Sequence, residues 1–153
     1  MRLLAFLAAL CAVTASAAEL KIVRVYTGWR DAGSFKRISE YFTGRENSRD
    51  QVVIRTQPRE RGGYYFLVRT DNRGAATEAR IMLHVVTPAS NVPREFAFRT
   101  TLPAGKTVFN LGLTGADWPN AEVDAVAWRL EIFDPEGELL ASEKSYLWEK
   151  PRE

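Results

Sequence analysis

Residues 28 to 34, GWRDAGS, hold Gly28 and Gly33 with Ser34 directly behind. That spacing is the frame of a phosphate-binding loop, Gly-x-x-x-x-Gly followed by lysine and then serine or threonine. The lysine reaches the outer phosphates and the hydroxyl holds magnesium. Here Ser34 and Phe35 stand in those two places, so both working side chains are missing. Asp31, between the glycines, would repel a phosphate. The segment is read instead as structure: Asp31 or Ser34 caps a helix over 34–43, Gly28 and Gly33 shape the turn before it, and Gly44 ends it. Phe35, Ile38 and Phe42 recur at helical spacing and are expected to face the body of the domain. No nucleotide cofactor is expected.

The remaining reactive residues are sparse. His84 is the only histidine and Cys11 the only cysteine. A zinc site needs three or four ligands drawn from histidine, cysteine and carboxylates, so no metal centre is expected. No Gly-x-Ser-x-Gly elbow presents a serine nucleophile, and calcium-loop spacing is absent. Asp117, Glu122, Asp124, Glu131 and Glu138 could act as paired carboxylates only if the fold brought them together. The default for such residues is a solvated surface. The chain therefore reads as non-catalytic, with no catalytic, cofactor or metal residues.

Binding chemistry is better represented. TGWRDAGS and TGADWPNAE each join a tryptophan to glycine, aspartate and polar neighbours. Arg30 adds a planar, two-pronged donor suited to carboxylates or sugar hydroxyls. Trp29, Arg30, Asp117 and Trp118 are thus the expected binding patch, provided that both loops lie at one end of the domain. Tryptophan and arginine are the residues that most often dominate such patches.

The elements that must position these residues read as follows. MRLLAFLAALCAVTASAAEL has Arg2, an apolar run from Leu3 to Val13, and small residues before Glu19. This is the layout of a secretory signal peptide, expected over 1–18 with cleavage after Ala18. The apolar run is too short to cross a bilayer, which takes about 20 residues. Residues 19–153 then form a single exported domain, periplasmic or extracellular, without a thiol and without a membrane span. The 21 basic and 19 acidic residues of the full chain are interspersed, which excludes the basic stripe that nucleic-acid binding needs. After the expected helix, short strands alternate with turn signals. AVAWRLEIF sets Val126, Trp128, Leu130 and Ile132 on one face, and DPEG (134–137) is a hairpin turn. That pattern predicts an antiparallel β-sandwich of about seven strands with one short N-terminal helix.

DAVAWRL, residues 124 to 130, resembles the Asp-x-Ala-x-Tyr-x-Cys segment leading into the sixth strand of immunoglobulin-type domains. Asp124, Val126, Trp128 and Leu130 stand at the matching positions, with tryptophan for the tyrosine and leucine for the disulfide cysteine. Leu83 is the candidate for the third-strand position where that family carries a tryptophan. Extended over residues 51 to 149, the resemblance implies an immunoglobulin-like or fibronectin-type-III-like sandwich, and it implies no particular activity. The expected role is a protein-interaction or scaffold module of the cell envelope. The alternative is a carbohydrate-binding module using its loop tryptophans. The expected partner is another envelope protein or a glycan.

Overall fold

Residues 19–48 and 50–149 are described by the computed structural model of the chain. The expected signal peptide, 1–18, lies outside them. Among the described residues run eight strands: β1 (Leu20–Arg30), β2 (Gln51–Arg55), β3 (Gly63–Asn72), β4 (Thr77–Thr87), β5 (Ser90–Leu102), β6 (Gly105–Thr114), β7 (Ala127–Phe133) and β8 (Leu139–Lys144). A 3₁₀ turn spans Ala32–Phe35 and one helix, α1, spans Ile38–Thr43.

The strands form two four-stranded sheets, in the orders β1-β3-β6-β2 and β5-β4-β7-β8. With β2 set aside, the first, second and fifth strands make one sheet, and the other four make the second. That is the A-B-E and C′-C-F-G arrangement of an immunoglobulin-like sandwich. In that order β7 is the sixth strand, so DAVAWRL leads where the resemblance placed it, and Leu83 lies on the third, β4. The set begins at β1, however, not at residue 51 as expected. The strand at 51–55 is an extra member, β2, which pairs in parallel with β6 at the sheet edge. The excursion through residues 31–50 makes this possible, because a parallel neighbour needs a long crossover.

Period-two alternation builds the core. Phe66 and Val68 from β3, Ile81, Leu83 and Val85 from β4, Phe109, Leu111 and Leu113 from β6, and Leu130 and Ile132 from β7 are fully buried between the sheets. Each such aliphatic or aromatic side chain contributes roughly 1.5–3 kcal/mol relative to exposure. The register of β7 is as expected for Leu130 and Ile132. Trp128 is half-buried and meets Phe66 of the opposite sheet edge-on, with ring centroids 6.0 Å apart. Val126 precedes the strand and is exposed. The DPEG turn closes on Gly137, whose φ of 89° is open to glycine at little cost.

The stretch after β1 departs from expectation. Gly28 does not turn the chain: it lies inside β1, opposite Tyr65 of β3. The helix is shorter than 34–43: residues 34 and 35 belong to the 3₁₀ turn, Lys36 and Arg37 are extended, and only residues 38–43 are α-helical. Gly44 ends it in the left-handed conformation, with its N–H on the Glu40 carbonyl at 2.8 Å. The expected apolar stripe is broken. Phe35 is buried, Phe42 is 85% exposed, and the side chain of Ile38 is outside what the structure describes. A six-residue helix turns less than twice, so a 3.6-residue pattern carried across its non-helical start does not hold one face.

Candidate functional site

The two expected loops do lie at the same end of the sandwich. Trp29 on β1 pairs with Tyr64 at the start of β3, and Trp118 stacks on Tyr64 at 4.5 Å with 23° between the rings. They do not form an exposed platform. Trp118 is 3% exposed, and its Nε1–H donates to the Val123 carbonyl at 3.0 Å. Trp29 is half-buried against the same core, with its Nε1–H on Asp31 Oδ1 at 2.9 Å. Both indoles plug one end of the core. Asp117 sits in a 3₁₀ turn, Gly115–Asp117, where Arg94 holds its carbonyl at 2.7 Å and its carboxylate at 3.3 Å. Arg30 is separated from these three. One step along β1 from Trp29, it emerges on the opposite, outer face of the sheet.

That outer face carries the densest polar chemistry of the domain. Because β1 continues through Gly28, Arg24, Tyr26, Gly28 and Arg30 fall on one side at a spacing of two. Arg24 lies directly opposite Arg69 of β3. Like charges so placed repel. Both guanidiniums lie 5.5 Å from the Tyr26 ring centre, and Arg24 donates to the Tyr26 hydroxyl at 3.1 Å. That hydrogen bond lowers the pKa of the phenol and raises that of the guanidinium. Tyr26 remains 46% exposed. Next to it, an open groove of about 250 Å³ runs over Gly28 to Arg30, with Tyr65 and Leu67 as its floor.

Beyond Arg30 the 31–62 excursion folds onto the sheet through a second, smaller cluster. Tyr65 is buried on this outer face under Phe35, with ring centres 4.7 Å apart. Its hydroxyl donates to the Arg61 carbonyl at 2.7 Å and accepts from Arg55 Nε at 2.7 Å. Burial pushes this phenol's pKa up. Arg55 is 7% exposed and binds Glu46 two-pronged at 2.8 and 2.6 Å. It also lies 4.8 Å from the Phe35 ring centre. Arg61 adds a bond to Glu40 at 2.8 Å. Asn110 of β6 is fully buried, its amide N–H on Gln51 Oε1 at 2.8 Å and its carbonyl receiving Arg30 Nη1 at 3.1 Å.

The Arg55 hydrogen bonds hold the Glu46 carboxyl below the ordinary glutamate range. Stability from this pair is therefore present above about pH 4.3, the unfolded value, and is lost as pH falls through the lower folded value. Urea melts of the wild type between pH 6 and pH 3 should lose stability more steeply than those of Glu46→Gln. Parallel curves would place Glu46 outside the pair.

The other sequence candidates lie elsewhere. His84, on the outer face of the second sheet, sits between Glu131 at 3.1 Å and Glu95 at 3.3 Å, and Trp148 approaches its ring. Glu131 also meets Arg129 at 3.4 Å. Asp117 and Glu131 are thus each held by basic partners on different surfaces. Among the described residues no three metal-ligating side chains converge. Sequence reasoning missed the face that Arg24 and Tyr26 share, as well as Arg55, Tyr65, Arg69 and Asn110. The signal for the first two was the period-two run RVYTGWR, and for Tyr65 the unbroken apolar run YYFLV, which marks a strand covered on both faces.

No family model matches the chain, and no curated protein matches it. Among solved structures it is similar to an immunoglobulin-like protein from Pseudomonas aeruginosa. The two are 21% identical over 84% of this chain and 96% of the other, with a TM-score of 0.34.

Proposed function

We propose that this chain is an exported, non-catalytic β-sandwich module that binds another protein of the cell envelope through the outer face of its β1-β3-β6-β2 sheet. Export is supported by the layout of residues 1–18. The binding face is supported by one observation. Arg24 and Arg69 flank the exposed Tyr26, Arg30 lines the groove beside it, and none of the three has a carboxylate partner among the described residues. Arg80 and Arg99 of the second sheet are opposed in the same way, so what distinguishes this face is the exposed tyrosine between its two guanidiniums, and an acidic partner would relieve their repulsion. Tyrosine and arginine are also the residues that most often carry interface energy. The carbohydrate-binding alternative is weakened, because Trp118 is buried and leaves no pair of exposed indoles.

The test uses the immobilised mature chain and a native envelope fraction. A partner captured by the wild type should be lost with Tyr26→Ala/Arg69→Ala and retained with Lys144→Ala/Tyr146→Ala beside the opposite sheet. The melting curves of both variants should stay within about 0.5 kcal/mol of wild type, as for exposed substitutions. Capture unchanged by the first pair would remove this face as the binding surface.

A further inference from the structure

Arg30 borders two cavities: the groove over Gly28 and, on its other side, a smaller cavity of about 80 Å³ beneath the 34–51 segment. We propose that the smaller cavity is a carboxylate seat, which takes an aspartate or glutamate side chain from an acidic segment of the partner protein lying across the outer face of this sheet. This rests on the interaction reading above and names the chemistry that the face selects.

The cavity wall carries more positive than negative charge. Asn110 uses its carbonyl on Arg30, and Gln51 uses its carbonyl on Asn110, which leaves the Gln51 NH₂. The carboxylate on the wall, Glu46, has both oxygens on Arg55. Arg30 and Arg37 contribute two guanidiniums, and neither has a carboxylate partner among the described residues. A cavity with surplus N–H groups and net positive charge is built for an anion.

Arg30 is also oriented. Its guanidinium carbon lies 5.4 Å from the Phe35 ring centre, and its Nη1 is fixed by a fully buried amide. That leaves Nε and Nη2, one edge of the fork, for a planar two-oxygen ligand. The approach is set by β1. Gly28 has no side chain, and an added Cβ there would meet no atom within 4 Å, so the strand between Tyr26 and Arg30 is open to a second chain. A segment lying in the groove over Gly28 can set one side chain against Tyr26 and another at the cavity, since Arg30 borders both.

The experiment titrates the full mature chain with an N-acetylated, C-amidated nonapeptide alternating glutamate and threonine. Its glutamine counterpart and inorganic phosphate serve as comparison probes. The glutamate peptide should bind at least about tenfold more tightly than the glutamine peptide, the scale of one or two charge-assisted hydrogen bonds. Arg30→Gln and Arg30→Lys should both weaken it about tenfold, since lysine keeps the charge and loses the fork. Arg37→Gln should weaken it as well. This last residue is exposed, so the test survives if Arg30 variants fail to fold. Arg80→Gln on the other sheet should leave affinity unchanged. Equal binding of the two peptides, unchanged affinity in Arg37→Gln and Arg30→Gln, or phosphate binding without glutamate-peptide binding would overturn the proposal. No natural partner is needed, so failure of envelope capture with intact peptide binding would count against the envelope role alone.

Discussion

Trp118→Ala lowers the stability of the sandwich by about 3–5 kcal/mol, the range for truncating a buried aromatic. The ring is 3% exposed and stacks on Tyr64, itself buried at the start of β3. Its removal empties the end of the core and frees Tyr64 on one face. It also breaks the bond from Nε1 to the Val123 carbonyl, which ties down the loop leading into β7. Trp118→Phe should recover most of the loss and retain a deficit of about 1 kcal/mol for the missing donor. Trp29→Ala should cost less than Trp118→Ala, because Trp29 is half-buried and its donor serves the exposed Asp31. Urea melts decide the matter. A Trp118→Ala loss below about 1 kcal/mol would take the ring out of the core and restore the loop tryptophans as a surface.

Gly112→Val should cost about 3 kcal/mol, the upper part of the overpacking range. Tyr65 lies between Gly28 of β1 and Gly112 of β6 on the outer face. A Cβ at Gly112 would stand 2.5 Å from the ring of Tyr65. The ring has no retreat: Phe35 covers it, and its hydroxyl is held by Arg55 and the Arg61 carbonyl. Valine's preference for strands does not offset such a clash. If the ring is displaced, Phe35 and Arg55 lose their seat and the 31–62 excursion loosens. Limited proteolysis should then cut the variant within 31–62 faster than wild type, while β4, β5 and β7 stay protected. Gly28→Ala, on the other side of the same ring, should be within about 0.5 kcal/mol of neutral, since its Cβ meets nothing within 4 Å. Equal costs at the two glycines would mean that the Tyr65 ring does not lean over Gly112.

These two sites show which parts of the molecule are legible in the residues alone. The β7 register was legible because one face of that strand is buried, so alternation through Leu130 and Ile132 leaves a single choice. The Gly137 turn and the Gly44 helix end were legible because each needs a backbone conformation that other residues avoid. The course of β1 was not. Gly28 carries the local mark of a turn, and only the distant ladder with Tyr65 and Arg69 keeps the chain extended through it. Hence Arg24, Tyr26 and Arg30 were not read as one face. The burial of Arg55 was hidden for a similar reason. Its burial depends on Glu46 and Tyr65, joined to it by the tertiary fold and not by any spacing. Trp29 and Trp118 look equivalent in their loops, and only the stack on Tyr64 makes one of them core.

The placement of β1 against β8 also bears on how the chain acquires its structure in time. The first and last strands of the sandwich touch. β1 must also find β3 across the whole 31–62 excursion, and β2 must wait for β6. Such distant pairings close large loops before any favourable contact forms, which places folding in the range of milliseconds to seconds. During synthesis, the contact between β1 and β8 stays unmade until the last strand has left the ribosome. On the export route proposed above this slowness would be useful, because a polypeptide that has not closed its sandwich stays threadable across a membrane.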